Sequence, residues 1–161
     1  MRPALWILAL VLAAAVLLPA CRTASKPTDF DRAAHQQAAA LQTETLTLMA
    51  QAAEPYSAHQ ASVDALNAKI LARYEAAAIA PDNEPLTRQW ELMRDPQGSL
   101  FGGFVVAWQA TGALDAGQRD EAAARVSAAF DHILCLEIAK GSGGRCAAAG
   151  ETPVLGTAAA D

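Results

Sequence analysis

Apolar residues recur at intervals of three and four along most of the chain after residue 28, and this spacing is the strongest constraint on the fold. One uninterrupted stretch follows it through Val63, Leu66, Ile70, Tyr74 and Ala77. Such spacing marks one face of an amphipathic helix, whereas the strict alternation that favours strands is rare in this chain. The sequence therefore predicts an all-α fold, arranged as an antiparallel helical hairpin or bundle of about four helices.

The alanine content predicts what kind of helices these are. Alanine supplies 40 of the 161 residues, so the apolar fraction of 53 % overstates the size of the core. Alanine is the best helix former but buries little apolar area. We therefore expect long, thin helices that pack closely.

Proline and capping residues predict the first two helices. Thr28 can cap a helix that runs to about Ala53, where Pro55 interrupts the pattern. A second helix, with capping-box spacing at Ser57 and Gln60, extends to about residue 80. Two interpretations of Pro55 remain open: it can separate the two helices of a helical hairpin, or it can kink one long helix.

Three further elements are expected downstream. Pro85 can open a third helix, Gly112 can stop the element that precedes it, and the Asp115 and Gln118 pair can cap the last helix. That last helix is expected to end at Gly141, which readily adopts a left-handed conformation.

The element from Ser99 to Thr111 contains two adjacent glycines, Gly102 and Gly103. A glycine weakens a helix by about 1 kcal/mol relative to alanine, so the pair needs a structural reason. Close approach of a neighbouring helix is the favoured explanation; a kink, or a strand from Phe104 to Trp108, is the alternative.

The N-terminus has the organisation of an export signal. Arg2 is the only charge in the first twenty residues, and Ala4 to Leu18 form an uncharged apolar run of 15 residues. Positive charge followed by a short apolar run is typical of a secretory signal peptide. As a helix the run would be about 22 Å long, which is short for the roughly 30 Å hydrocarbon core. An uncleaved anchor is the alternative.

The residues that close this run, Leu18-Pro19-Ala20-Cys21, resemble the lipobox of bacterial lipoproteins. The resemblance implies cleavage before Cys21 and attachment of diacylglycerol, with a further acyl chain such as palmitate, to that cysteine. Pro19 occupies a position where a small residue such as Ser or Ala is usual. Arg22, rather than an aspartate, follows the cysteine, which in this class favours the outer membrane and a periplasm-facing domain. The resemblance covers only about the first 21 residues.

Four segments follow from these features. Residues 1–20 are the predicted signal peptide, 21–28 a lipidated flexible tether, 29–141 the helical bundle domain, and 142–161 a flexible, disordered tail rich in Gly, Ala, Thr and Pro.

The charge balance bears on the class of partner. Removing Arg2 from the 12 Lys+Arg leaves 11 against 17 Asp+Glu, a balance of −6 for the residues after the signal segment. An acidic chain without a basic run disfavours nucleic acid and anionic lipid as partners. Membrane attachment would then depend on the N-terminal lipid, since two or more acyl chains hold a protein firmly.

Assigning Cys21 to lipid leaves Cys135 and Cys146 as an even pair. Export places them in a compartment that permits disulfides, and the intervening glycines allow the chain to reverse. We predict that they form a disulfide. The alternative is a buried free Cys135 with an exposed Cys146.

The search for catalytic chemistry is largely negative. The chain contains no nucleophile elbow, phosphate loop or zinc-binding motif, and its histidines His35, His59 and His132 have no Glu-x-x-His spacing. We therefore expect no catalytic residue, no metal and no cofactor. An enzyme would require His59 or His132 to meet two carboxylates in a cleft.

Four aromatic residues are the remaining candidates for function: Trp90, Phe101, Phe104 and Trp108. Aromatic residues at helical spacing are usually core, but they can also line a groove for a partner helix or an apolar ligand. The leading hypothesis is a membrane-anchored helical module that binds another envelope protein. The alternative is a bundle that binds a small apolar ligand or lipid in a cavity lined by Trp108, Phe104 and Phe130.

Overall fold

A computed structural model of the chain describes residues 30–142 and residue 146. The predicted signal peptide, the lipidated cysteine, the tether with Thr28, and nearly all of the predicted tail lie outside the described residues. The described residues form a helical bundle without strands. Its five α-helices are α1 (Arg32–Ala50), α2 (Tyr56–Ile79), α3 (Glu84–Arg94), α4 (Phe101–Thr111) and α5 (Ala116–Ser142). A short 3-10 helix, Gln51–Ala53, follows α1.

The count is one α-helix higher than the predicted total of about four, and the Ser99–Thr111 region is the reason. This region forms a complete helix, α4, and neither a strand nor a kinked extension of its neighbours. Its glycines allow the close approach that the sequence predicts, and the approaching groups are the backbone at the end of α3 and in the linker that follows it. A Cβ added at Gly102 would lie 2.5 Å from the carbonyl oxygens of both Arg94 and Asp95.

Pro55 separates two helices. The 3-10 turn ends before it, Pro55 occupies the N-cap position of α2, and Tyr56 begins the new helix. The predicted capping role of Ser57 is therefore wrong, since Ser57 already lies inside α2. A proline at a helix start costs no hydrogen bond, because the first N–H groups of a helix have no intrahelical acceptor.

Other boundaries test the capping predictions directly. The Asp115 and Gln118 box is present, with Gln118 N donating to Asp115 Oδ1 at 2.9 Å and Asp115 N donating to Gln118 Oε1 at 3.1 Å. The prediction of Thr28 as the cap of α1 is wrong, because α1 begins at Arg32 and Asp31 caps it by accepting hydrogen bonds from the N–H groups of Ala33 and Ala34. Gly112 ends α4 with a φ of 79°, as predicted. The predicted stop at Gly141 is wrong, because α5 continues to Ser142.

The most extensive helix contacts are those of α1 with α5 and of α2 with α3, and all five α-helices contribute buried residues to the core. Trp90 and Phe130 are fully buried, and their rings meet edge to face with centroids 5.8 Å apart. Alanines fill the closest contacts, and Ala38, Ala52 and Ala129 are among the buried residues. The close-packed arrangement expected from the alanine content is thus present.

Backbone hydrogen bonds tie the turn between α1 and α2 to the end of α4. Leu114 N donates to Ala52 O and Tyr56 N donates to Gly112 O, both at 2.8 Å. Between these two bonds, Trp108 Nε1 donates to Glu54 O at 3.0 Å. This side-chain hydrogen bond gives a donor to the Glu54 carbonyl, which lies between α1 and α2.

Replacing Trp108 with Phe should therefore destabilise the domain more than replacing Trp90 with Phe. Both tryptophans are fully buried, but Trp90 Nε1 has no hydrogen-bond partner among the described residues. Trp108→Phe leaves the Glu54 carbonyl without its donor, and we expect it to cost about 1–2 kcal/mol more than Trp90→Phe. Urea unfolding followed by circular dichroism measures both. Equal losses would show that the Trp108 bond contributes nothing.

Candidate functional site

The four aromatic residues predicted as an interaction surface lie in the core instead. Trp90, Phe101 and Trp108 are fully buried, and Phe104 is 5 % exposed. Phe101 stacks on Phe104 with ring centroids 6.5 Å apart, and Phe104 contacts Trp108. Trp90 on α3 and the three aromatic side chains of α4 all face inward, so any binding surface of the folded domain must be formed by other residues.

An open groove lies between α3, the linker before α4, and α5. We call it the α3–α5 groove; its volume is about 760 Å³. Leu92 and Leu100 supply its larger apolar side chains, and Ala124 and Ala128, one turn apart on α5, line it with methyl groups. Small side chains at this spacing let another segment approach the α5 backbone closely.

The polar residues of the α3–α5 groove come from all three of its elements: Gln89 on α3, Ser99 in the linker, and Arg125 and His132 on α5. Arg125 lines the groove, donates from Nε to Ser99 O at 3.2 Å, and pairs with Glu121. These contacts hold the linker that carries Leu100 against α5. His132 also lines the groove, on the same face of α5. The lining of the groove is thus mainly apolar, with polar side chains on each of its elements and the Arg125 cation held in place on α5.

A second polar feature lies where α1 begins and α2 and α5 end. Glu137 is fully buried, and its two oxygens face Arg73 Nη2 at 3.4 Å and Lys140 Nζ at 2.9 Å. Arg73 Nη1 donates to Gln37 Oε1 at 3.0 Å. We call Gln37, Arg73, Glu137 and Lys140 the Glu137 cluster. It joins three helices and borders a cavity of about 240 Å³.

The Glu137 cluster stabilises the fold through compensation of a buried charge. A buried carboxylate without partners is costly, and two cations satisfy this one. The Nε atom of Arg73 is buried and makes no hydrogen bond within the described residues. No ligand chemistry follows from the cluster, because the oxygens of Glu137 are already engaged.

Cys135 and Cys146 form a disulfide, as predicted from the sequence, with Cα atoms 5.9 Å apart. Cys135 lies on α5 one turn beyond His132, so the bond attaches residue 146 beside one end of the α3–α5 groove. The loop that it closes spans 11 residues, and in the chain-entropy account such a crosslink contributes roughly 2–3 kcal/mol.

The histidines lie apart from any recognisable catalytic arrangement in the described region. His59 contacts Glu54 at 2.8 Å at the start of α2, as a residue at a helix end. His35 contacts the ring of Phe30 with centroids 5.9 Å apart. Within residues 30–142 and 146, no group of three or more His, Cys, Asp or Glu side chains is placed to hold a metal ion. None of the described helices is long and apolar enough to cross a membrane.

Sequence reasoning missed the α3–α5 groove because its lining is made of alanines and a linker. In the sequence, Ala124 and Ala128 cannot be distinguished from the alanines of any exposed helix face. The groove exists only because Leu100 lies across from them. Glu137 had a detectable signal, since it lies four and seven residues beyond the buried Ile133 and Phe130. That register predicted that either Leu136 or Glu137 faces inward, and in the structure Glu137 is the fully buried one.

Comparisons with protein-family models, with curated proteins and with solved structures found no match to this chain.

Proposed function

We propose that the protein is a lipid-anchored bacterial envelope protein whose helical domain serves as an interaction module facing the periplasm. The observation that carries the anchor is Leu18-Pro19-Ala20-Cys21 at the end of a 15-residue apolar run. Helix α1 begins at Arg32, so only a short segment separates the folded domain from Cys21. A diacylated or triacylated Cys21 would hold the domain at the membrane surface, by preference at the outer membrane.

The disulfide supports export. Disulfides persist in oxidising compartments such as the bacterial periplasm and are rare in the cytosol. Cys135 and Cys146 are the two cysteines left after Cys21 is assigned to lipid, and they pair with each other. A chain with this bond and a signal-like N-terminus fits the proposed location.

An antiparallel order of the long helices is part of the proposal. Ala52, just after the end of α1, bonds to Leu114, just before α5 begins. Further along, Gln42 Nε2 donates to Asp131 Oδ1 at 2.9 Å. These two contacts support opposite directions for α1 and α5. Such a bundle would carry the start of α1 and the end of α5 at the membrane-proximal end.

The anchor is tested by replacing Cys21 with Ser in the full chain. We expect the wild-type N-terminal peptide to carry acyl chains in mass spectra, and the Cys21→Ser protein to lose them and leave the membrane fraction. Pro19→Ala is the matched control; it retains the cysteine and should remain acylated. An unmodified wild-type peptide that begins at Met1 would overturn the anchor.

The α3–α5 groove is the proposed binding surface, and its proposed occupant is an amphipathic helix of another envelope protein. Ala124 and Ala128 allow a helix to lie close to α5, while Leu92 and Leu100 offer apolar contacts on the opposite side. Helix-in-groove recognition uses such an apolar trough. A carboxylate on the partner could approach Arg125 at the border.

Replacing Ala128 with Glu tests this surface. Ala128 is exposed and lines the groove, so a glutamate there should block the partner while leaving the fold intact. Ala61→Glu, at an exposed position of α2, is the matched control. In crosslinked envelope preparations we expect one adduct that persists in Ala61→Glu and is lost in Ala128→Glu. Equal adducts in both variants would contradict the proposed surface.

A small apolar ligand or lipid in the same groove is the second candidate. A volume of about 760 Å³ falls within the range of small-molecule sites, and the lining is mainly apolar. Neither the α3–α5 groove nor the cavity beside the Glu137 cluster is lined by Trp108 or Phe130, so this candidate depends on the groove and not on the predicted internal cavity. An environment-sensitive fatty-acid probe can be added to the purified protein in the absence of any partner. Binding of the probe that is lost in Ala128→Glu would favour a ligand over a helix.

A further inference from the structure

Three large apolar side chains are exposed at one end of the bundle. Phe30 is 42 % exposed just before α1, Ile79 is 87 % exposed as the last residue of α2, and Ile138 is 52 % exposed near the end of α5. Two other large hydrophobic residues, Leu71 and Val106, are exposed in the described part of the chain. Exposed apolar side chains are therefore concentrated where these three helix ends meet.

The shared location follows from the cavity beside the Glu137 cluster. Its lining includes Asp31, Ala80 and Glu137, which are the chain neighbours of Phe30, Ile79 and Ile138 respectively. One cavity is thus lined by a chain neighbour of each of the three residues, which places all three at the same end of the bundle. We call Phe30, Ile79 and Ile138 the apolar rim.

Phe30 is the described residue of the domain that lies nearest to Cys21 along the chain. Eight residues, Arg22 to Asp29, separate Cys21 from Phe30. Even a fully extended segment of this length reaches only about 30 Å. An anchor at Cys21 would keep Phe30 within that distance of the bilayer, whichever way the domain turned.

We propose that the apolar rim rests in the headgroup region of the bilayer that holds the lipid anchor, so that the domain stands on its α1-start end. This inference depends on the proposed acylation of Cys21. Because the tether already confines the domain near the surface, a few apolar side chains are enough to bias its orientation.

The charges around the rim indicate which lipid surface is suited to it. Lys140 and Arg73 are paired with Glu137, while Asp82 and Glu84 lie in and after the turn that follows Ile79. Among the described residues, Arg32, Arg73 and Lys140 at this end are outnumbered by Asp31, Asp82, Glu84 and Glu137, so it offers no excess of basic charge to anionic lipids. A zwitterionic headgroup surface is the proposed partner, bound through apolar contact.

A photo-crosslinking amino acid placed at the rim of the full chain tests the orientation. We would introduce benzoylphenylalanine at Ile79 or at Ile138, and at Val106 as the control. Val106 is 46 % exposed, close to the value for Ile138, but lies on α4. After illumination of intact membranes, mass spectra should show lipid adducts several-fold more abundant at the two rim positions than at Val106. Equal lipid adducts at all three positions, or adducts only to protein, would overturn the docking.

The same preparation reports on the anchor, which keeps the two proposals distinguishable. An acylated Cys21 with no excess of lipid adducts at the rim would overturn the docking and leave the anchor in place. An unacylated Cys21 would overturn the anchor and, with it, the docking.

A second variant adds an independent readout. Ile79→Ser combined with Ile138→Ser should lower lipid adducts formed by a crosslinker at Phe30, while circular dichroism shows the fold retained. Undiminished adducts at Phe30 would also overturn the docking.

Discussion

Gly103→Ala should destabilise the domain by at least about 3 kcal/mol, the largest effect expected from a change of one methyl group. The added Cβ would overlap the carbonyl oxygen of Gly98. Because that oxygen belongs to the backbone, no side-chain rotation relieves the overlap. The linker would have to move away from α4 and disturb the packing of Phe101, which is fully buried. Urea unfolding followed by circular dichroism measures the loss.

Gly117→Ala is the matched control. Gly117 lies in the first turn of α5, and its added Cβ would come no closer than 3.4 Å, to Asp115 Oδ1. Alanine there is expected to leave stability unchanged or raise it by up to about 1 kcal/mol, since alanine is the better helix former. If Gly103→Ala were as stable as Gly117→Ala, the close approach of the linker to α4 would be wrong.

Arg73→Ala should cost about 3 kcal/mol. It removes one of the two cations beside Glu137, whose side chain is fully buried. Breaking a buried ion pair from one side leaves an incompletely compensated charge, for which losses of roughly 3–5 kcal/mol are typical. We expect the lower end of that range because Lys140 Nζ remains 2.9 Å from Glu137. The same unfolding measurement applies.

Arg88→Ala provides the comparison for this prediction. Arg88 pairs with Glu91, but their side chains are 62 % and 50 % exposed. Exposed pairs contribute roughly 0.2–1 kcal/mol, so this variant should remain close to the wild type. A double replacement, Arg73→Ala with Glu137→Gln, should recover part of the Arg73→Ala loss because the buried charge is gone. Additive losses would show that the two residues are not coupled.

Local chemistry predicted much of the helical pattern. The Asp115 and Gln118 box, the stop at Gly112, the start near Pro85 and the break at Pro55 each depend on a few neighbouring residues, and all four are present. The predictions that failed were also local. Ser57 was displaced from its capping role because the proline before it already starts α2, and Gly141 does not stop α5, which continues into Ser142.

The candidate binding surface shows the opposite case. The aromatic residues Trp90, Phe101, Phe104 and Trp108 were the natural candidates from composition, yet burying large rings stabilises the core more than any other use of them. The surface that remains concave is lined by alanines of α5 and by Leu92 and Leu100. Helical spacing alone cannot show that these residues face one another, because they come from different elements.

By itself, the sequence determined the helical character and most helix boundaries, because each depends on near neighbours; it predicted the pairing of Cys135 with Cys146, which the structure confirms. It also carries the whole case for the anchor at Cys21. The tertiary structure decided what is brought together from distant positions: Glu137 between Arg73 and Lys140, the linker backbone against Gly102 and Gly103, the α3–α5 groove, and the apolar rim at one end. Such contacts depend on how helices pack against each other, and the packing is set by the burial of many side chains at once.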